Sequence, residues 1–343
     1  MMKRQGILAA LAAATLFGAS TPFAKMLLGT VDPWLLAGLL YLGSGLGLSA
    51  LRLAMPGERA RLAPGQGKWL AGAILAGGVA GPVLLMIGLT GASASTTSLL
   101  LNAEGVFTAL LAWMAFKENA DRRIVMGMLS IVAGAVTLSW PGGTVMASWP
   151  ALAVLGACLC WAVDNNLTRK VSLADPLQIS AIKGLTAGTT NIALAFLQGA
   201  SLPDGSSFML AGLLGFLGYG LSLVSFVVAL RELGTARTGA YFSTAPFVGA
   251  LIAVVMLGEP VTVQLGAAAV LMGIGVWLHL SENHEHEHRH APLEHEHAHA
   301  HDDDHHQHDH HGSPSPPHVH RHWHQPLRHK HSHYPDGHHR HEH

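Results

Sequence analysis

Histidine is missing from the first 278 residues of this 343-residue chain, although the whole sequence contains 25. Charge is nearly as scarce: residues 1–280 carry 15 Lys/Arg and 10 Asp/Glu. The only cysteines, Cys158 and Cys160, cannot build a disulfide framework or a Cys-rich zinc module. A net charge of −1 leaves no basic surface of the kind nucleic acids need, so no nucleic-acid partner is expected. No Walker lysine loop, no HExxH and no His/Ser or His/Cys grouping occurs in residues 1–280. The reading is therefore not an enzyme, with no required cofactor. Any work the chain does draws on an ion gradient or on facilitated exchange, not on ATP.

What fills the sequence instead is apolar. Half of the residues are hydrophobic, 39 are glycine, and the mean hydropathy is +0.33. These averages mix two polymers, because 24 of the 25 histidines fall in Ser281–His343. A helix crossing ~30 Å of hydrocarbon needs ~20 apolar residues. Ten such stretches can be read: Gly6–Leu28, Pro33–Leu53, Trp69–Leu89, Ser93–Phe116, Ile124–Trp140, Trp149–Thr168, Leu177–Gln198, Phe208–Leu230, Thr238–Leu257 and Val261–Leu280. Small residues at packing spacing, such as Gly43/Gly47 and Gly77/Gly81, suit helix contacts in lipid. The basic start of the chain resembles a signal peptide, but the apolar run continues past Pro22 to Leu28, so it reads as an uncleaved first helix.

The basic residues set the orientation. With a cytoplasmic N-terminus, 13 of the 15 Lys/Arg of residues 1–280 fall on inside segments: Lys3, Arg4, Arg52, Arg59, Arg61, Lys68, Lys117, Arg122, Arg123, Arg169, Lys170, Arg231 and Arg237. Lys25 and Lys183 lie within helices, and the outside loops have none. Positive charge inside predicts ten spans with both termini cytoplasmic, in a lipid bilayer expected to be the bacterial inner (plasma) membrane. A homodimer is compatible with this arrangement.

The halves repeat. A shift of 141 residues aligns Leu89 with Leu230, Leu110 with Leu251, Glu118 with Glu259 and Gly134 with Gly275. A shift of 143–144 aligns Leu16–Lys25 with Cys160–Arg169, and Asp32-Pro33 with Asp175-Pro176. Five spans per half insert the second half upside down. Inverted repeats are a transporter signature, with solute sites near the midplane between the halves.

The stretch Phe17-Gly18-Ala19-Ser20-Thr21-Pro22-Phe23-Ala24-Lys25 resembles the opening of an EamA-type domain of the drug/metabolite transporter superfamily. Thr244-Ala245-Pro246-Phe247 with Leu257-Gly258-Glu259-Pro260, and Thr108–Trp113 with Lys117-Glu118, resemble its fourth-helix motif. The resemblance implies two EamA domains, here residues 6–140 and 149–280. It implies an all-α polytopic membrane protein and movement of a small metabolite, with no particular substrate. The first half departs from the pattern by carrying Glu104-Gly105 where the second carries Ala245-Pro246.

Ionisable groups inside a span are costly and point to function. Glu104, with Asn102 nearby, reads as a midplane proton acceptor or cation ligand, or as a structural acid paired with lysine. Asp164, Asn165 and Trp161 on the sixth span are candidates for the solute path. Lys183 is a candidate partner for Glu104 or Asp164. Lys25 and Arg169 are symmetry mates that either gate the path or snorkel. Pro22, Pro82 and Pro246 read as kinks, Cys158 and Cys160 as packed thiols, and Trp113, like Trp161, as core packing or cavity lining.

Residues 281–343 hold 5 basic and 11 acidic residues with 24 histidines, and too few aliphatic side chains to bury a core, so disorder is expected. The runs His284/His286/His288, His295/His297/His299/His301, His305/His306 and His320/His322/His324 suit loosely defined sites for Zn, Ni, Co or Cu(II). A pH-responsive polyampholyte is the alternative, since protons and metal compete for the same nitrogens. Three functions follow: export of a divalent metal, export of an organic metabolite or amino acid with a regulatory tail, or a membrane-tethered metal buffer.

Overall fold

The structure is a computed structural model. It describes residues 2–55, 62–63, 65–116, 122–139, 148–168, 170–171, 174–233 and 235–281, and the backbone of four short tail segments. Arg169, Glu118 and the side chain of Trp113 lie outside the described residues.

The membrane part is all helical. α1 (Met2–Leu27) and α2 (Pro33–Ala54) are joined by a turn in which Asp32 accepts the amides of Trp34 and Leu35 at 2.9 and 3.2 Å. Proline at the first helical position needs no amide partner, and the preceding aspartate satisfies the next ones. The second half repeats the device: Asp175 accepts the amide of Leu177 at 3.1 Å ahead of Pro176. The third span runs without a break through α3 (Gly67–Ala73), a π-helical segment (Ile74–Ala80) and α4 (Gly81–Gly91). The fourth is interrupted at Leu101-Asn102, between α5 (Ala94–Leu100) and α6 (Ala103–Phe116), and α7 (Arg122–Ser139) ends the first half.

The second half has α8 (Trp149–Thr168), α9 (Pro176–Leu197), then α10 (Gly205–Leu214), a π segment (Gly215–Leu221) and α11 (Ser222–Leu233). Its fourth span also breaks, at Ser243-Thr244, between α12 (Thr235–Phe242) and α13 (Ala245–Leu257), before α14 (Val263–Leu280). The two π segments lie 141 residues apart at both ends, the offset expected from the sequence repeat.

Six described helical stretches are long and apolar enough to cross a membrane: Gln5–Leu27, Pro33–Ala54, Gly67–Gly91, Arg122–Ser139, Trp149–Thr168 and Gly205–Ala229. Ala245–Leu257 and Val263–His279 are shorter apolar helices. α9 is long but more polar, because Lys183 and Asn191 face into the protein. Outward, large apolar side chains such as Leu53, Met114, Leu197, Met209, Val255 and Val263 are exposed, as expected of a lipid-facing surface.

Glycine lets the backbones meet. α2 packs on α9, where a Cβ on Gly45 or Gly184 would run into the facing backbone. Gly43 and Gly47 meet Gly212 and Phe216, and Gly77 and Gly81 meet Asp164 and Trp161. α7 packs on α14 through Gly127 and Gly275, and Ser130 Oγ donates to the Leu271 carbonyl at 2.6 Å.

In the tail, β1 (Glu285–Arg289) pairs antiparallel with β4 (Arg328–Ser332), and β2 (Leu293–His299) with β3 (His318–His324). The register sets His286 and His288 opposite His331 and His329. It sets His295, His297 and His299 opposite His322, His320 and His318. The apolar residues in these ladders, Leu293, Ala298, Val319 and Trp323, are too few for a core. His284, His301, His305 and His306 lie outside the described residues.

Candidate functional site

The helix break in the fourth span of the first half places the acid that set this half apart. Glu104 sits in the first turn of α6, where free amides and the helix dipole favour a carboxylate. It is half-buried, and Oε1 accepts a hydrogen bond from Asn165 Nδ2 at 2.8 Å. Asn165 also reaches Thr108 Oγ1 at 3.4 Å, and Asn166 donates to the Thr108 carbonyl at 3.4 Å. α6 and α8 are thereby stitched together along one polar seam.

Lys183 was open to either acid by sequence, and the structure pairs it with Asp164. Its Nζ lies 2.6 and 2.7 Å from the two carboxylate oxygens and 3.3 Å from Thr168 Oγ1. Thr168 donates in turn to Asp164 Oδ1 at 2.8 Å. Both charged side chains are over nine-tenths buried. Breaking one partner of such a pair is far more costly than never having made it. Glu104 is left with no cationic partner among the described residues.

Beside this pair the π segment of the third span does specific work. A π turn skips one helical hydrogen bond and leaves a carbonyl free. Gly77 O takes the Tyr41 hydroxyl at 2.7 Å and Trp161 Nε1 at 2.9 Å. A Cβ on Gly77 would collide with Asp164, so only glycine lets this carbonyl and that carboxylate sit side by side. Gly78 O accepts Asn191 Nδ2 at 3.0 Å.

Trp161 opens an aromatic cluster that spans the two halves. Phe17 meets Trp161, Tyr219 and Phe242 at centroid distances of 5.9, 5.7 and 5.5 Å. Tyr41 meets Tyr219 at 5.4 Å, and Phe226 meets Phe242 at 4.9 Å. These are edge-on or tilted pairs, the favoured arrangement of aromatic rings. Phe17, Tyr41, Phe226 and Phe242 are only half-buried. Asn165 lies one turn after Trp161 on α8, so the aromatic cluster and Glu104 are reached from one helix face.

Other sites from the sequence fall elsewhere. Asn102 is buried at the break: its amide donates to Leu99 O at 3.1 Å, and its Oδ1 has no hydrogen-bond partner among the described residues. Thr97 Oγ1 and Ser98 Oγ, one turn earlier, are buried and without a partner among the described residues as well. Cys158 is buried against the Leu100 carbonyl and Cys160 is half-buried; both are free thiols. Pro22 lies inside α1, while Pro82 and Pro246 sit in the first turns of α4 and α13, next to a π segment and a helix break. Lys25 joins neither acid. Its Nζ donates to the carbonyls of Leu89, Ala92 and Thr90 at 2.6, 2.9 and 3.4 Å, in the α4–α5 turn.

Sequence reading passed over Tyr41 and Tyr219, and took Phe17 only as part of the family motif and Gly77 only as a packing glycine. A signal existed for the tyrosines: the chain has four, and three lie before the tail.

The model of the EamA-like transporter family matches twice, over residues 4–140 and 148–281. An uncharacterized transporter of Methanothermobacter thermautotrophicus is 27% identical over 300 residues, covering 81% of this chain and 87% of that one. An uncharacterized protein of Pseudomonas aeruginosa, PA1977, is 31% identical over 188 residues, 54% of this chain and 65% of its own. The uncharacterized transporter YyaM of Bacillus subtilis is 23% identical over 56% of this chain and 66% of its own. A protein of known crystal structure superposes with a TM-score of 0.62 at 22% identity, covering 79% of this chain and 94% of that one; this likeness speaks to the fold. Two family matches covering most of the chain, on a helical fold whose halves repeat, place it: the chain is a membrane protein belonging to the EamA-like transporter family.

Proposed function

We propose that this chain is a secondary-active exporter of a small organic solute bearing an ammonium group, working by alternating access in exchange for protons. One observation carries the reading. Glu104 begins a half-helix at a broken span, bonded to Asn165 and to no cation among the described residues, while Lys183 is held by Asp164. A carboxylate so placed needs a cation, and a proton or a substrate ammonium satisfies it in turn but not together. The neighbouring aromatic rings suit an organic cation, whose charge is attracted to ring faces. The unpartnered oxygens of Thr97, Ser98 and Asn102 favour a polar solute near the break.

A divalent metal as cargo is supported less well. Among the described residues no three His, Cys, Asp or Glu side chains converge. The tail is read instead as a metal-responsive appendage. The His-X-His spacing of the tail suits imidazole ligation of Zn, Ni, Co or Cu(II). The orientation adopted has both termini in the cytoplasm of a bacterial inner membrane, on the asymmetry of the basic residues. The tail then lies on the loading side.

The test is proton flux in proteoliposomes carrying a trapped pH dye. Choline and tetraethylammonium are the organic probes, and Zn2+, Ni2+ and Co2+ salts the metal probes. Flux driven by an ammonium probe, and lost in Glu104→Gln, is expected. Flux driven by metal alone overturns the substrate class. Wild-type flux in Glu104→Gln overturns the role of the carboxylate. Transport that survives removal of the tail rejects a mere metal buffer.

A further inference from the structure

The turn between α4 and α5 is held from both sides by charged residues of other spans. On its α4 side, Lys25 of α1 gives its ammonium to the last carbonyls of that helix, Leu89 at 2.6 Å and Ala92 at 2.9 Å. On its α5 side, Glu259, in the loop after α13, takes the amides of Ala94 and Ser95 at 2.7 and 2.8 Å, one per carboxylate oxygen. Each charge sits where the helix dipole favours it, and each bond is charge-assisted. Lys25 and Glu259 are both half-buried, and they come from opposite halves of the repeat.

The surroundings place this clamp at one end of the helical bundle. Thr30, in the turn after α1, meets Ser207 at the start of α10 at 3.2 Å, so the turns of four spans gather at one end. Directly below the clamped turn lie Ser95, Thr97 and Ser98, all at or below 2% exposed, and then the break at Asn102 and Glu104. A path from this end to Glu104 would have to part the α4–α5 turn from α1 and from the α13–α14 loop. Lys25 and Glu259 supply charged bonds that join them, beside the packing of α5 on α1 and α13.

From this geometry we infer that Lys25 and Glu259 form a two-point latch that shuts the outer mouth, so that the structure is closed to the outside. They are positioning residues: they hold a turn and touch no solute. Opening outward breaks five hydrogen bonds at one turn, and each half of the protein supplies one jaw. The inference rests on the transporter reading above and on its orientation.

Sided labelling tests it without knowledge of the substrate. In a background with Cys158 and Cys160 replaced by serine, Ser98→Cys reports on the space below the latch. Ser201→Cys, in the exposed loop between α9 and α10, reports which face is outside. A membrane-impermeant maleimide is applied to right-side-out and to inside-out vesicles. With the latch intact, Ser98→Cys is expected to be protected from outside. Lys25→Gln or Glu259→Gln should raise its outside labelling rate at least tenfold, while Lys25→Arg, which keeps charged donors, restores protection. Outside rates within twofold of the intact latch, in variants that elute as monodisperse protein, overturn the latch. Equal labelling from both sides in every variant reports general loosening and overturns it too. Ser201→Cys labelling from inside alone contradicts the orientation, and the latch is then scored by the same rates from the opposite side.

Discussion

Replacing Lys183 by methionine should cost more than any other single change near the site. Its ammonium lies 2.6 and 2.7 Å from the two oxygens of Asp164, with the side chains 7% and 9% exposed. At that separation and an effective dielectric constant of about 20, the attraction is about 6 kcal/mol. Desolvation of the two ions offsets most of it, so the intact pair gains little over two apolar side chains. The variant keeps the desolvation of Asp164 and loses the attraction, leaving the carboxylate with Thr168 as its partner at 2.8 Å. The expected destabilisation is about 3–5 kcal/mol, or roughly two to four powers of ten in the unfolding equilibrium. Asp164→Asn combined with Lys183→Met removes both charges and should recover most of the loss, with a coupling energy of about 2 kcal/mol or more. Unfolding by SDS titration from a mild detergent, followed by tryptophan fluorescence, measures all three variants. A double variant whose loss equals the sum of the single losses refutes the reasoning, because the two charges would then be acting independently.

Gly77→Ala should destabilise by about 1–3 kcal/mol in the same titration, because its methyl group would overlap Asp164. Gly273→Ala, which meets nothing within 4 Å, should stay within about 1 kcal/mol of wild type. Truncation after Ser281 should leave the membrane domain monodisperse in detergent and abolish zinc uptake measured by equilibrium dialysis; retained zinc would move the metal site out of the tail. Trp161→Phe removes the donor to Gly77 O and should cost about 0.5–1.5 kcal/mol, read by the same denaturation.

The sequence carried the spans, the repeat and the tail boundary because each rests on composition over many residues. The ten apolar stretches correspond to ten helical rods among the described residues, and their ends moved by a few residues, as with Phe208, which follows a helix start at Gly205. Glu104 and Asp164 were legible because an acid in lipid is rare and costly. The interruption at Leu101-Asn102 was not, since Leu and Asn there do not break a helix by propensity; tertiary packing does. The π segments were hidden for the same reason, as Ile74–Ala80 reads as ordinary apolar helix. Which acid Lys183 would choose depended on helix azimuth. Lys25 was legible as a charge in a span but not as a clamp, because its partners are carbonyls, which no residue type announces.

The matching π segments bear on how the chain came to be. An extra residue wound into a helix at the same place in both halves was present before the sequence doubled, because two independent insertions would not share their ends. The ancestral unit had five spans, and two copies must have assembled head to tail across the bilayer. Fusion released the halves from identity. Where one half sets Asp164 against Gly77, the other sets Ser20 against Gly218, so an uncharged contact stands opposite the ionic one. A dimer of equal subunits carries every buried charge twice; a fused chain can confine it to one side, as Asp164 and its partner Lys183 are confined here.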